Sequence, residues 1–176
     1  MSGFFALLGV LISFLYKTNQ KYGKIENKKL YYFHIAFMVL AMLLTYLSFT
    51  SGLQLLYKFD EIIYAVNNTN GFLSSTVNII VWIIYTLANI VILFSTFAIA
   101  QRSNKARKIF IIAIPVSLFT GGLRMVNELI AKSTVEVSVS ATMILISMLL
   151  FSIPYVALYF FYNNQKVKQV LFISDI

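Results

Sequence analysis

Apolar residues run through this chain in long blocks separated by short polar breaks, and the length of each block limits what it can be. A helix needs about 20 mainly apolar residues to cross the hydrocarbon core of a bilayer. Between Lys29 and Lys58 no residue is charged, which predicts a span over 31–56. The chain is uncharged again from Ile62 to Gln101; the stretch Asn67-Asn68-Thr69-Asn70-Gly71 reads as a loop, so the second span is 74–100. A third, 108–131, is interrupted by Arg124 and Glu128, and a fourth, 138–163, ends at Asn163-Asn164. The opening block, MSGFFALLGVLISFLY, is shorter. It lacks the charged start and small-residue cleavage pattern of a signal peptide, and it reads as a short span over 3–17, the alternative being a segment lying along the membrane interface. The expected fold class is all-α: a polytopic transmembrane helix bundle forming one domain over 1–176, with four full-length spans and a short N-terminal fifth.

Composition agrees. Residues of the apolar set make up 60% of the 176 and charged residues 11%, with a mean hydropathy of +0.83; soluble domains carry about 25% charged residues. A soluble fold this apolar would expose patches that aggregate. There is no cysteine, which removes disulfide scaffolds and thiolate metal sites.

The net charge of +8 is distributed by loop. Lys17, Lys21, Lys24, Lys28 and Lys29 follow the first block; Arg102, Lys105, Arg107 and Lys108 follow the third; Lys166 and Lys168 lie in the tail. These eleven of the fourteen basic residues fall on one side when loops are counted alternately. The positive-inside rule then predicts a cytoplasmic C-terminus and cytoplasmic 17–30 and 101–108 loops, in a bacterial inner membrane or an organellar membrane. The charge is topological, with anionic lipid attracted to it and no nucleic acid implied.

Inside a membrane, polar side chains face the bundle interior. His34, Ala41, Thr45, Ser48 and Gly52 share one face of the first full span, and Asn78, Tyr85, Asn89 and Thr96 one face of the second. Ser117, Thr120, Gly121, Arg124, Asn127 and Glu128 form a stripe on the third, and Ser140, Ser147 and Pro154 a weaker line on the fourth. Such seams are expected to be packing faces with hydroxyls and amides bonding across. Arg124 and Glu128, four apart, can pair near the end opposite the basic loops, with Asn78 as third partner at that depth. The candidate intramembrane polar site is therefore Arg124, Glu128, Asn127, Asn78 and Asn89.

No hydrolase, nucleotide-binding or zinc motif appears, and the one histidine, His34, has no second ligand. No catalytic, metal or cofactor site is expected. Ile153-Pro154-Tyr155, followed by Lys166-Val167-Lys168 and Phe172, resembles the closing helix and basic tail of the domain-of-unknown-function 2569 family of small four-helix bacterial membrane proteins. Leu171 stands where that tail has a threonine, and extra residues separate Pro154 from it. The resemblance covers about 31–172 and implies a membrane bundle without naming an activity. The expected function is noncatalytic: a subunit or assembly partner of a membrane complex, meeting another membrane protein or a second copy in the lipid bilayer. The alternative is a small ion or solute channel or transporter with a charged Arg124/Glu128 site.

Overall fold

The computed structural model describes residues 2–23, 25–57, 72–133 and 141–172. Among these lie six helices: α1 (Ser2–Tyr22), α2 (Lys28–Tyr57), α3 (Ser75–Ala100), α4 (Asn104–Ser133), α5 (Ala141–Asn163) and α6 (Gln165–Leu171). The fold is an all-α bundle. Four helices, α2 to α5, contain stretches long and apolar enough to cross a membrane: Lys28–Tyr46, Thr76–Ala100, Asn104–Ile130 and Thr142–Asn163. They correspond to the four full-length spans. The expected short fifth is a 21-residue helix, α1, outside that set of four. Its Leu11, Leu15 and Thr18 are buried, and α1 packs against α2 and α3. The 67–71 loop, Ser140 and the side chains of Ser48 and Gly52 lie outside the described residues.

Two boundaries differ from those drawn by hydropathy. The 17–30 loop shrinks to residues 23–27, because α1 continues through Lys17 and Lys21 and α2 begins at Lys28. The 101–108 loop shrinks to 101–103, because α4 begins at Asn104. Lysine and arginine are good helix formers, so charge ends an apolar block without ending the helix. What ends and starts these helices is local chemistry. Gly23, at φ +75°, stops α1. The Asn27 side chain accepts from Leu30 N at 3.1 Å to cap α2, and the Ser103 hydroxyl accepts from Ala106 N at 3.2 Å to cap α4.

The α3–α4 turn is unusual. Ser103 N donates to Ala98 O and Arg102 N to Ile99 O, the two bonds of a Schellman motif. The left-handed position of that motif normally holds glycine, and here it holds Arg102 at φ 61°. The side chain accounts for the residue: its Nη2 donates to Gly23 O at 2.7 Å and to Asn19 Oδ1 at 3.3 Å, while Asn19 donates to the Tyr31 hydroxyl at 2.8 Å. Arg102 thus ties the α3–α4 turn to α1, and Asn19 carries the tie to α2. Burial lowers the proton affinity of its guanidinium and Tyr31 partly offsets this, but an arginine stays charged.

α3 and α4 form the most extensively packed pair, with α2 against α3 and α5 against α4. The buried seams on the first three spans match the sequence pattern: His34, Ala41 and Thr45; Tyr85, Asn89 and Thr96; Ser117, Thr120 and Asn127. On α5 the expected line lies at the edge of the inward face. Tyr155, Leu158 and Tyr162 are buried there, while Ser147 and Pro154 are only partly covered. Large aromatic rings that fill the interior outweigh the small residues that the sequence pattern emphasised.

Replacing Arg102 by alanine removes the side-chain ties and leaves the strained backbone, whereas glycine relieves the strain. Arg102→Gly should therefore unfold at a higher temperature than Arg102→Ala, by about 1 kcal/mol of stability, with both below the parent chain. Thermal unfolding in mild detergent checks the order; equal values would mean that the turn is unstrained.

Candidate functional site

The interior polar residues sort into three layers. The basic end is where α1 and α3 finish and α2 and α4 begin; the far end lies opposite.

At mid-depth Asn89 joins three helices. Its amide nitrogen donates to Ser117 Oγ on α4 at 3.0 Å and to Tyr85 O on its own helix at 2.8 Å. Its Oδ1 accepts from the Tyr155 hydroxyl on α5 at 3.4 Å. All three side chains are buried. The other hydroxyls of the seams turn inward on their own helices instead of bonding across: Thr45 to Ala41 O, Thr96 to Ile92 O and Thr120 to Val116 O, each at 2.7–2.8 Å. A hydroxyl in a helix reaches the carbonyl four residues back without help from a neighbour, so the crossing bonds of the seams come from Asn89, Asn127 and His34 and not from the threonines. Gly121 faces this layer. A Cβ there would lie 2.6 Å from both Phe151 Cζ and Tyr85 Cε2, so only glycine lets α4 meet both rings.

At the far end Arg124 and Glu128 pair as the spacing predicts, Nε to Oε1 at 2.7 Å. Arg124 lies 20 residues beyond the start of α4, about 30 Å along it. The expected third partner is corrected: among the described residues no hydrogen bond or ion pair joins Asn78 to Arg124 or Glu128. The guanidinium instead lies over the Trp82 ring at 5.0 Å and the Tyr85 ring at 5.9 Å. An aromatic face attracts a cation, and Trp82 is one helical turn beyond Asn78. Glu128 remains half exposed, with 50% of its side-chain surface accessible. Asn127 is buried beside the pair, and its Oδ1 accepts from Leu73 N at 2.9 Å just ahead of α3. The five candidate residues therefore form no single site: Arg124 and Glu128 pair, Asn127 ties α4 to the lead into α3, Asn89 is a separate joint, and Asn78 has no role among these contacts.

The basic end holds a cluster that the sequence pattern did not reveal. His34 Nδ1 shares a hydrogen bond of 3.2 Å with the Tyr162 hydroxyl. Arg107, buried, donates to Tyr162 O at 2.8 Å and to Asn104 Oδ1 at 2.9 Å. The Phe172 ring lies 5.7 Å from the Arg107 guanidinium carbon and 6.4 Å from the His34 ring. Phe172 arrives there because Asn164 caps α6, accepting from Lys166 N at 2.8 Å, and α6 buries Val167 and Leu171 against the bundle. The cap residue and the Val167/Leu171/Phe172 spacing were the available signals; hydropathy overlooks a seven-residue helix with two lysines.

Among the described residues, every buried side-chain nitrogen or oxygen has a hydrogen-bond partner, and no group of three or more His, Asp or Glu is placed to hold a metal ion. The arrangement is one of helix joints. No family model, curated protein or solved structure matches the chain.

The Arg124–Glu128 pair is partly solvated, and such pairs contribute about 0–1 kcal/mol. The stacking of Arg124 on Trp82 adds packing that a charge change at Glu128 leaves intact. Glu128→Gln should therefore leave stability within about 0.5 kcal/mol of the parent, with unchanged fluorescence from Trp82, the only tryptophan. Arg124→Ala should cost about 1–2 kcal/mol and shift that emission. Equal losses from both would show that the ion pair, not the stacking, is what matters.

Proposed function

We propose that this chain is a noncatalytic, multi-pass integral membrane protein that acts through helix–helix contacts, as a subunit or assembly partner of a membrane complex. The closed polar interior carries this reading. Buried amides, hydroxyls and guanidinium groups are used up inside the chain, so its surface is what remains for another molecule. The basic end faces the cytoplasm in this reading, since membrane proteins retain Lys and Arg there.

Among the four helices long and apolar enough to span, α5 is the least buried along its apolar stretch in the described residues. Ile146, Leu150 and Ile153, at intervals of four and three, form an exposed apolar stripe on the side away from buried Tyr155 and Leu158. Lipid tails are as apolar as these residues, so helices associate in a membrane by packing and not by hydrophobic exclusion. A partner helix laid along the stripe gains such packing without unmaking any internal contact. The channel alternative would need a continuous polar path past Asn89, whose donors and acceptor are already bonded across three helices; no feature favours it.

The absence of cysteine makes the test direct. Single cysteines at Ile146, Leu150 and Ile153 should give oxidative or bifunctional cross-links in native membranes, in a helical pattern that excludes cysteines on the buried face. A product of twice the 20.0 kDa chain mass identifies a second copy, and a product of another mass identifies a foreign subunit. No cross-link at any of the three positions contradicts the proposal.

A further inference from the structure

A second flank of α5 has a different shape. Between α4 and the outer half of α5 runs an apolar groove of about 520 Å³, walled by Phe119 and Leu123 on one side and Leu145, Met148 and Leu149 on the other. Gly122 is its floor: a Cβ built there meets no atom within 4 Å. A narrower cavity of about 150 Å³ continues toward the basic end between Ile114 and Tyr159–Phe160, sharing Pro115 and Leu118 with the first. The two form one trough along the α4–α5 seam. Among the described residues no charged one lines it. The hydroxyl of Ser152, which does, is turned back to Leu149 O at 2.9 Å.

The trough has a cation below one end. Lys108 precedes Pro115, Phe119 and Gly122 by seven, eleven and fourteen residues, intervals that put all four on one stripe of α4. Its side chain is exposed, about 10 Å along the helix from Pro115. Lys105, also exposed, is one turn further toward the basic end.

We propose that this trough seats one phospholipid with an anionic headgroup, its acyl chain lying along Gly122 and its phosphate at Lys108. Two observations favour a lipid over a helix as occupant. The space is a groove between two helices and not an outward stripe like that of Ile146, and a flexible chain conforms to its long, irregular Leu, Met and Phe walls. The charge is placed at one end of an otherwise apolar trough, the distribution of an anionic amphiphile. The inference rests on the basic end meeting a membrane surface and is independent of the partner assigned to the Ile146 stripe.

The test uses the full chain, delipidated in mild detergent and titrated with phosphatidylglycerol or phosphatidylcholine of identical acyl chains, with native mass spectrometry counting bound lipid. The parent chain should retain one phosphatidylglycerol with an about fivefold preference over phosphatidylcholine, the worth of one lysine near a charged headgroup. Lys108→Gln should keep binding but lose the preference. Gly122→Phe should lose both lipids; Leu149→Trp, which fills the trough from the other wall, repeats this should the glycine variant fail to fold. Equal retention of the two lipids by the parent, or undiminished retention by a folded trough-filling variant, overturns the proposal. Loss of lipid binding with the Ile146 cross-links intact would separate its failure from that of the partner reading.

Discussion

A side-chain amide inside hydrocarbon has no water to bond with, and leaving it unpaired costs several kcal/mol. The bundle is organised around that constraint at Asn89. One short side chain can satisfy two donors and an acceptor at mid-depth only if Ser117 and Tyr155 arrive at the same level from α4 and α5. Meeting that condition sets how far each of the three helices slides past the others. Gly121 allows the approach: Tyr85, whose carbonyl accepts from Asn89, presents its ring to the bare glycine backbone beside Phe151. Each such bond is individually modest in membranes, averaging about 0.6 kcal/mol. Their contribution lies in register, because apolar side chains pack against lipid or protein with nearly equal ease.

The two ends solve a different problem. At the basic end helices stop and start close together, and arginine rather than lysine does the tying. A guanidinium has five donors in a fixed plane, which lets Arg102 reach Gly23 and Asn19 together and Arg107 reach Tyr162 and Asn104 together. The lysines around them stay at the surface. At the far end Arg124 works through the faces of Trp82 and Tyr85 as much as through Glu128. With the buried polar groups of the described residues paired in this way, the two flanks of α5 differ: one an open apolar stripe, the other a trough with a lysine below it.

The four spanning helices and three of the four inward seams were legible in the sequence, since both follow from hydropathy and a 3.6-residue period. The Arg124–Glu128 pair was legible for the same reason. What escaped depends on shape or on end chemistry. Small residues marked only the edge of the inward face of α5, whose centre Tyr155 and Tyr162 fill. Asn78 shares a stripe with Asn89 but has no hydrogen-bond link to Arg124, because a stripe gives direction and not reach. Arg102 and Arg107 resembled other topological charges until the turn geometry brought Gly23 and Tyr162 within reach. The lengths of α1 and α4 were underestimated because charge was read as the end of a helix, when Gly23, Asn27 and Ser103 mark the real limits.

On the proposed reading the intramembrane polar residues are joints between helices and line no aqueous path. Thr96, buried on the same seam as Asn89, reports on this directly. A cysteine at Thr96 in this otherwise cysteine-free chain can be exposed to a membrane-impermeant thiol reagent in intact membranes, with Gln101→Cys in the exposed α3–α4 turn as the positive control. Labelling is expected at position 101 from one side of the membrane, and none at 96 until the protein is unfolded. Labelling at 96 at a rate approaching that of 101 would mean that water reaches the seam and that these residues line a path.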